Sequence, residues 1–442
     1  MKTALRRNVV TTTAICGLVL GLLAGNASAQ SMFRAGSIHA GAYRDTGPRT
    51  FHRVKWKFQT GDRIVSSPVY NDGTIYFGGD DGNIYAVSAA DGRQRWKHRT
   101  GGPVPATPAV ADGLLYVGSY DGRFYALDAR TGATRWKFAT EGERRFEAKG
   151  LHGFQPKSQT VADPYDVFLS SPVVGGGAVY FGSGDGHVYA LDAATGELRW
   201  KFRTGDVVHA SPAYADGIVF VGSWDSYFYA LDAKTGAEKW RFHGGEDPLI
   251  HNQVGFQSSA AIVDGVVYVG CRDSNLYAID AATGREKWRY NNGGSWVISS
   301  PAVAQGKVIF GTSDTSLYLV VDADTGKPLV EQKGKAFVFS SPSVAGDVVY
   351  VGVLNGTLEA RDLASGALLW EFQTESSQRN AGWVLTAERR FNAPLLFWSN
   401  WRDAPIVSAD RQFAIGAFFS SPLVVEGVVF VGSTDGALYA LE

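Results

Sequence analysis

Cysteine is scarce in this chain. Of 442 residues only Cys16 and Cys271 carry a thiol, and Cys16 falls in an apolar N-terminal stretch with the marks of an export signal. A single remaining thiol excludes an intramolecular disulfide, so the fold has to be held shut by other means. An excess of charge of one sign is lacking as well: 42 Lys and Arg face 43 Asp and Glu, a net charge of -1. No basic surplus points to nucleic acid, and no acidic tract forms a solvating tail. Downstream of residue 29 no apolar run has the length of a membrane-spanning helix.

The first 29 residues read as a cleavable signal peptide. Lys2, Arg6 and Arg7 form a basic start, Val9 to Gly25 is apolar, and Ala27-Ser28-Ala29 is a small-residue cleavage site. Cys16 sits inside the apolar run rather than just after it, which argues against a lipid anchor. The residues around Arg6-Arg7 fit a twin-arginine signal poorly, so the general export route is favoured. A mature chain starting at Gln30, periplasmic or secreted, is the expectation.

What the chain has in abundance is glycine, 53 residues, with 13% aromatics, the balance of a turn-rich all-β protein. The residues recur with a period of about 40, the length of a propeller blade. In one repeat Pro105 to Val110 is a first strand, and Ala111-Asp112-Gly113 turns it into Leu114 to Val117. Tyr120-Asp121-Gly122 leads to Phe124 to Leu127, and Thr131-Gly132 to Arg135-Trp136-Lys137-Phe138. Short aromatic and β-branched strands between Asp-Gly or Thr-Gly turns make a four-stranded meander. First strands are marked at Pro68, Pro108, Pro172, Pro212, Pro301, Pro342 and Pro422, with Ser259-Ala260 as the eighth. Fourth strands are marked by Trp96, Trp136, Trp200, Trp240, Trp288 and Trp370, with Leu329-Val330 in the sixth repeat. That count is one short, and Trp56 in Val54 to Phe58 supplies the missing strand. The predicted fold is therefore an all-β, eight-bladed β-propeller of four-stranded antiparallel blades over residues 54–442. Its N-terminal strand completes the last blade, after a lead-in at 30–53.

Proline cannot donate to a ladder and survives mainly on edge strands, so the Pro-marked strand should line the central channel. Beside it stand Ser67, Thr107, Ser171, Ser211, Ser259, Ser300, Ser341 and Ser421. Crowding of eight strands near the axis explains these small residues better than a hydrogen-bonding ligand site does. Asp128, Asp192, Asp232 and Asp280 suit turn capping, and Gly132, Gly196, Gly236 and Gly284 allow positive φ. A metal role for these aspartates or for Asp322 and Asp324 is disfavoured, because the spacing builds no oxygen cage.

The run from Ala126-Leu127-Asp128-Ala129 through Thr131-Gly132 to Trp136 resembles the tryptophan-docking repeats of quinoprotein (pyrroloquinoline-quinone-type) propellers. The likeness recurs over residues 54–140, 168–243, 255–373 and 416–442, and it describes scaffold rather than activity. For the dehydrogenases of that family it implies alcohol or sugar oxidation with a bound quinone and calcium or a lanthanide. This chain departs from them: it lacks a vicinal cysteine pair, a Cys-x-x-Cys-His haem segment and a convincing Glu-Asn-Asp metal set, and it is shorter. A non-enzymatic branch, the propeller lipoprotein of the outer-membrane β-barrel assembly complex, is similar in size and repeat type.

Two inserts break the repeat, at 141–166 and 374–412, and both connect a fourth strand to a first strand. Both should rise from one face, over the channel mouth, where loops on a rigid scaffold carry binding. Glu143-Arg144-Arg145-Phe146 in the first parallels Glu388-Arg389-Arg390-Phe391 in the second. Packing of the Phe and salt bridging between the inserts is the plainer reading of this motif; Arg144 and Arg389 facing an anionic ligand is the sharper one. The second insert gathers Trp383, Phe391, Phe397, Trp398, Trp401 and Arg402, suited to sugar rings, a planar cofactor or a partner protein, and equally to self-burial. Arg63, His209, Gln257 and Trp296 replace apolar residues at the start of inner strands and should face the channel there. Neither His209 nor His152 has a second ligand at coordinating spacing, so a metal role is disfavoured. The seven turn aspartates Asp81, Asp121, Asp185, Asp225, Asp273, Asp314 and Asp435, with Asn355 in the eighth place, read as hairpin caps. The sequence thus favours an exported, monomeric, non-catalytic binding or scaffold propeller. An envelope protein or a small-molecule or carbohydrate ligand would meet the insert-bearing face. The alternative is a divergent PQQ-dependent oxidoreductase with calcium.

Overall fold

A computed structural model describes residues 30–396 and 404–442; the signal-peptide reading and Phe397, Trp398, Trp401 and Arg402 lie outside the described residues. Eight antiparallel four-stranded sheets follow one another around a ring. Blade one is Val69–Asn71, Thr74–Gly78, Asn83–Ser88 and Gln94–Arg99, from the axis outwards. The inner strands start one residue after the marker proline, because the Ser/Thr-Pro step itself is spent on contacts between blades. Alternating small and aromatic residues bury both faces of the middle strands, so each blade packs against two neighbours.

The last blade joins the two ends of the chain. Leu423–Val425, Val428–Gly432 and Ala437–Leu441 are completed by Val54–Gln59, with Trp56 opposite Ala440 and Phe58 opposite Leu438. The closing strand is tied further by Arg53 N and His52 N donating to Glu442 O, at 3.0 and 2.8 Å.

Each outer-strand tryptophan docks on the next blade. Trp96 Nε1 donates to Ala129 O at 2.9 Å and Trp200 Nε1 to Ala233 O at 3.0 Å. The glycine of the Thr-Gly turn has a second role that its positive φ conceals. A Cβ on Gly132 would lie 2.7 Å from the Trp96 ring, so only glycine lets the indole lie flat against the turn. Val330 takes the tryptophan's place in blade six, opposite Val320. For Trp200→Ala we expect a loss of about 3–5 kcal/mol, the usual cost of emptying a large core site. A urea midpoint shift of a few tenths of a molar or less would contradict it.

Blade eight has no Thr-Gly turn between its third and fourth strands, because Ala437–Leu441 pairs with Val54–Gln59 from the N-terminal part of the chain. The lead-in supplies the surface instead: Trp370 Nε1 and Tyr350 Oη both donate to Pro48 O, at 2.9 and 3.1 Å. Earlier in the lead-in, carbonyls of Gln30, Ser31, Ser37, Ile38, Ala40 and Gly41 accept from inner-strand amides of six blades. Ala42–Tyr43 adds a parallel strand inside blade seven. The lead-in therefore crosses and closes the channel at the end away from the inserts.

The serine ring is a closed girdle of hydrogen bonds. Ser67 N donates to Thr107 Oγ1 and Thr107 N to Ser171 Oγ, both at 3.0 Å, and the pattern continues until Ser421 N reaches Ser67 Oγ at 2.9 Å. Small size at the axis is thus joined to a binding role, but the partners are neighbouring blades. The turn aspartates also do more than cap. Asp121 accepts from Arg123 N at 3.0 Å within its hairpin and from Gly101 N of the preceding connection at 2.8 Å. Asp314 departs from the pattern and accepts from Ser313 Oγ at 2.9 Å.

Candidate functional site: the insert-bearing face

Both inserts meet over one mouth of the channel, as the strand order requires. The first forms a small antiparallel pair, Glu147–Lys149 with Thr160–Ala162. The second contains helices α1 (Glu375–Val384), α2 (Ala393–Leu396) and α3 (Ala404–Ala414). A signal for α1 was present, since Thr374 is a good N-cap followed by an acidic first turn. Its hydroxyl accepts from Ser377 N at 3.1 Å. The inserts touch through Tyr165, whose hydroxyl donates to Ser408 Oγ at 3.3 Å and accepts from Gln412 Nε2 at 3.3 Å. A third loop, 244–255, joins the rim and was not singled out from the sequence. Its trace is a spacing: Ser211 and Ser259 are 48 residues apart where Ser67 and Thr107 are 40 apart.

The repeated Glu-Arg-Arg-Phe motif serves anchoring. Phe146 stacks on Trp224, with centroids 4.5 Å apart and planes at 11°, and Phe391 lies edge-on to Phe337 at 5.0 Å. Glu143 accepts from Ser183 Oγ and Gly184 N, both at 2.7 Å. Arg144 pairs with Asp206 at 2.8 Å, while Arg389 donates to Ser377 Oγ and, at 3.2 Å, to Asn355 O. No salt bridge links the two inserts among the described residues, which corrects that part of the plainer reading: Glu143, Arg144 and Arg389 bond to the propeller beneath them instead.

Three of the channel-mouth candidates are likewise taken up by the first insert. Gln257 Nε2 donates to Tyr165 O at 2.7 Å. His209 places Nδ1 2.7 Å from Asp166 Oδ1 and Nε2 3.6 Å from Glu143 Oε2. Burial opposes charge on this imidazole, but the two carboxylates outweigh it and hold its pKa up at about 10. Trp296 forms one wall around Arg272, whose guanidinium carbon is 3.8 Å from the Trp296 ring and 4.6 Å from the Trp224 ring. Arg272 Nη1 reaches Asp163 Oδ2 at 2.6 Å with both side chains fully buried. Burial pushes the Asp163 carboxyl up, yet Arg272 and His152 prevail and leave it well below the usual range. Arg272 was not marked from the sequence, because a buried arginine inside a hairpin turn has no local signature.

Aromatic residues from both inserts and from inner strands, among them Tyr165, Phe339, Phe413 and Phe419, close the mouth. On the axis, between Phe33 and the layer of Phe168, Phe339 and Phe419, a cavity of about 40 Å³ remains. Small-molecule sites run from roughly 300 to 1,000 Å³, so a planar tricyclic quinone does not fit on the axis of this arrangement. Cys271 is buried with its thiol pKa pushed well up by burial, and its Sγ lies 3.4 Å from Gly255 O. It packs in the core between blades. Two candidates keep a free outlook. Trp383, on α1, is 70% exposed, and Arg63 borders a cleft with Asp80, Tyr120, Arg145 and Phe413.

The ring, its docking tryptophans and its closure define an eight-bladed propeller of the quinoprotein type. The sequence matches the family described as outer membrane protein assembly factor BamB over residues 45–162, 152–295 and 291–390; the chain belongs to that family. Among curated proteins none matches it significantly. Among solved structures, BamB from Moraxella catarrhalis is 17% identical with a TM-score of 0.63, covering 88% of this chain and 97% of that one. A europium-containing methanol dehydrogenase is 14% identical with a TM-score of 0.67, covering 93% and 97%. The quinohemoprotein alcohol dehydrogenase from Comamonas testosteroni is 15% identical with a TM-score of 0.68, covering 93% and 80%. At these identities the likeness is one of fold, and it spans scaffold and enzyme alike. No helix among the described residues is long and apolar enough to cross a membrane.

Proposed function

We propose that this is an exported, non-catalytic binding propeller whose insert-bearing face receives an envelope protein or a small ligand. The observation that carries this reading is the filled channel mouth. Buried pairs and aromatic stacks pin the inserts over the axis, so recognition falls to their outer surface and to the clefts between them and the blades. Trp383 at 70% exposure and Leu249 at 76% stand out on that surface, as anchors of a protein interface do. The family match to an assembly factor agrees with a scaffold role.

Calorimetric titration of the exported protein with pyrroloquinoline quinone and calcium separates this from the oxidoreductase reading. No stoichiometric binding and no dye-linked alcohol oxidation are expected; tight binding followed by turnover would overturn the proposal. In a second test residues 375–412 are replaced by a short Gly-Ser linker. The variant should fold and lose its envelope partners in a pull-down, and full retention of every partner would remove the face from consideration.

A further inference from the structure

The cleft beside Arg63 has a volume of about 190 Å³, below that of drug-sized sites. Its floor and walls are Val65, Val167, Pro103 and Pro105, and the α3 residue Phe413 closes one side. The polar groups around it are incompletely matched. Arg63 stacks on Phe413 at 4.5 Å and binds Asp80 Oδ2 through Nε at 3.1 Å. The other carboxylate oxygen, Asp80 Oδ1, is buried without a hydrogen-bond partner, and so is the Tyr120 hydroxyl, which lies near the Arg145 guanidinium. Arg145 is exposed and forms no salt bridge among the described residues. Its neighbour Arg144 anchors the insert to Asp206, so the two arginines of the repeated motif divide the work.

Buried polar atoms without partners cost stability and are rare unless something satisfies them. The two guanidinium groups ask for an anion, and carboxylates suit them in geometry and charge. A bare inorganic anion would meet Asp80 Oδ1 at the same place and be repelled. The ligand therefore needs a hydrogen-bond donor next to its negative end, facing Asp80 and Tyr120. We propose that this cleft binds small carboxylic acids with a donor on the adjacent carbon, that is, α-hydroxy or α-amino acids. The carboxylate faces Arg145 and the outer side of Arg63, the hydroxyl or ammonium group faces Asp80 Oδ1 and the Tyr120 hydroxyl, and a short aliphatic group lies on the prolines and valines. Burial, as the largest cause, raises the Asp80 carboxyl to about 6 despite Arg63, as fits an acceptor still short of a donor. The inference rests on the reading of this face as the binding face and gives it a ligand class.

The test is calorimetric titration of the full exported chain with L-lactate, L-serine and propionate, which lacks the donor. Lactate or serine should bind at a single site, and propionate at least about tenfold more weakly, the worth of a hydrogen bond to a charged group. Arg145→Gln should weaken all three acids. Tyr120→Phe should weaken lactate and serine and leave propionate unchanged, a split that general damage to the fold would not give. Equal affinity for propionate, no saturable binding of lactate or serine, or indifference to both substitutions would overturn the proposal. Failure here while the 375–412 replacement still loses its partners sinks the cleft and leaves the face. Acid binding with partner capture untouched by that replacement sinks the partner face and keeps the cleft.

Discussion

Deleting residues 54–59 is expected to open the ring and turn a cooperatively folding chain into one that self-associates. The strand supplies the whole outer edge of blade eight, paired from Val54 opposite Leu441 to Gln59 opposite Ala437 with one register shift between Val54 and Trp56. It also brings Trp56, whose indole donates to Ala89 O at 3.0 Å and packs on Gly92 of blade one. Emptying the Trp56 site alone is worth about 3–5 kcal/mol, a large part of the 5–15 kcal/mol that keeps a typical domain folded. The deletion further uncovers Ala437–Leu441, a strand buried along its whole length, and a flat apolar edge of that kind pairs with other chains. Light scattering after size exclusion should show higher oligomers, and urea unfolding a lowered, broadened transition. Trp56→Phe, which keeps the strand, should elute as the parent does. Parental elution and an unchanged midpoint for the deletion would show that closure does not hold the ring.

The second large effect is expected at Asp163. Asp163→Ala leaves the Arg272 guanidinium buried between Trp224 and Trp296 without its counter-charge, and breaking a buried pair in this way costs about 3–5 kcal/mol. Replacing both partners, as Arg272→Met with Asp163→Leu, should recover much of that loss, because the desolvation of two charges disappears with them. A double variant no better than the single one would mean that the pair is irreplaceable in positioning the insert. The pH dependence follows from the same groups. Against burial, Arg272 and His152 hold the Asp163 pKa below the ordinary carboxylate value of 3.8, so its contribution is present above about pH 4 and is lost as pH falls below. The His209 pKa is raised from 6.5 to about 10, so its contribution is full below about pH 6.5 and is lost as pH rises through 10. Thermal midpoints across pH should therefore decline on both sides, and Asp166→Asn should remove much of the alkaline decline.

Much of the architecture could be read from residues near one another in sequence. The Ser/Thr-Pro step, the Asp-Gly and Thr-Gly turns and the tryptophans each report local geometry, and their recurrence multiplies a weak signal. What the repeat did not predict is how blade eight manages without a turn. Pro48 replaces the missing alanine carbonyl, and no pattern in the lead-in resembles the element it stands in for. The girdle was half visible: Ser67 and its equivalents could be named, but a backbone amide bonding the hydroxyl of the next blade needs the ring to be closed first.

The face that matters for function was visible only as a location. Strand order placed both inserts on one side, and their odd composition marked them. Which side chains are spent on anchoring was out of reach: His209, Gln257 and Trp296 could be placed at the channel mouth, but not their contacts with Asp166 and Tyr165 of the first insert. The sequence by itself determined eight blades, their order and the closing strand, since these follow from backbone preferences repeated at short range. Only the tertiary structure decided that Asp163 meets Arg272 across 109 residues, that Arg144 is paired and that Arg145 is left facing a cleft. Charges find partners by distance in space, and no spacing along the chain encodes that distance.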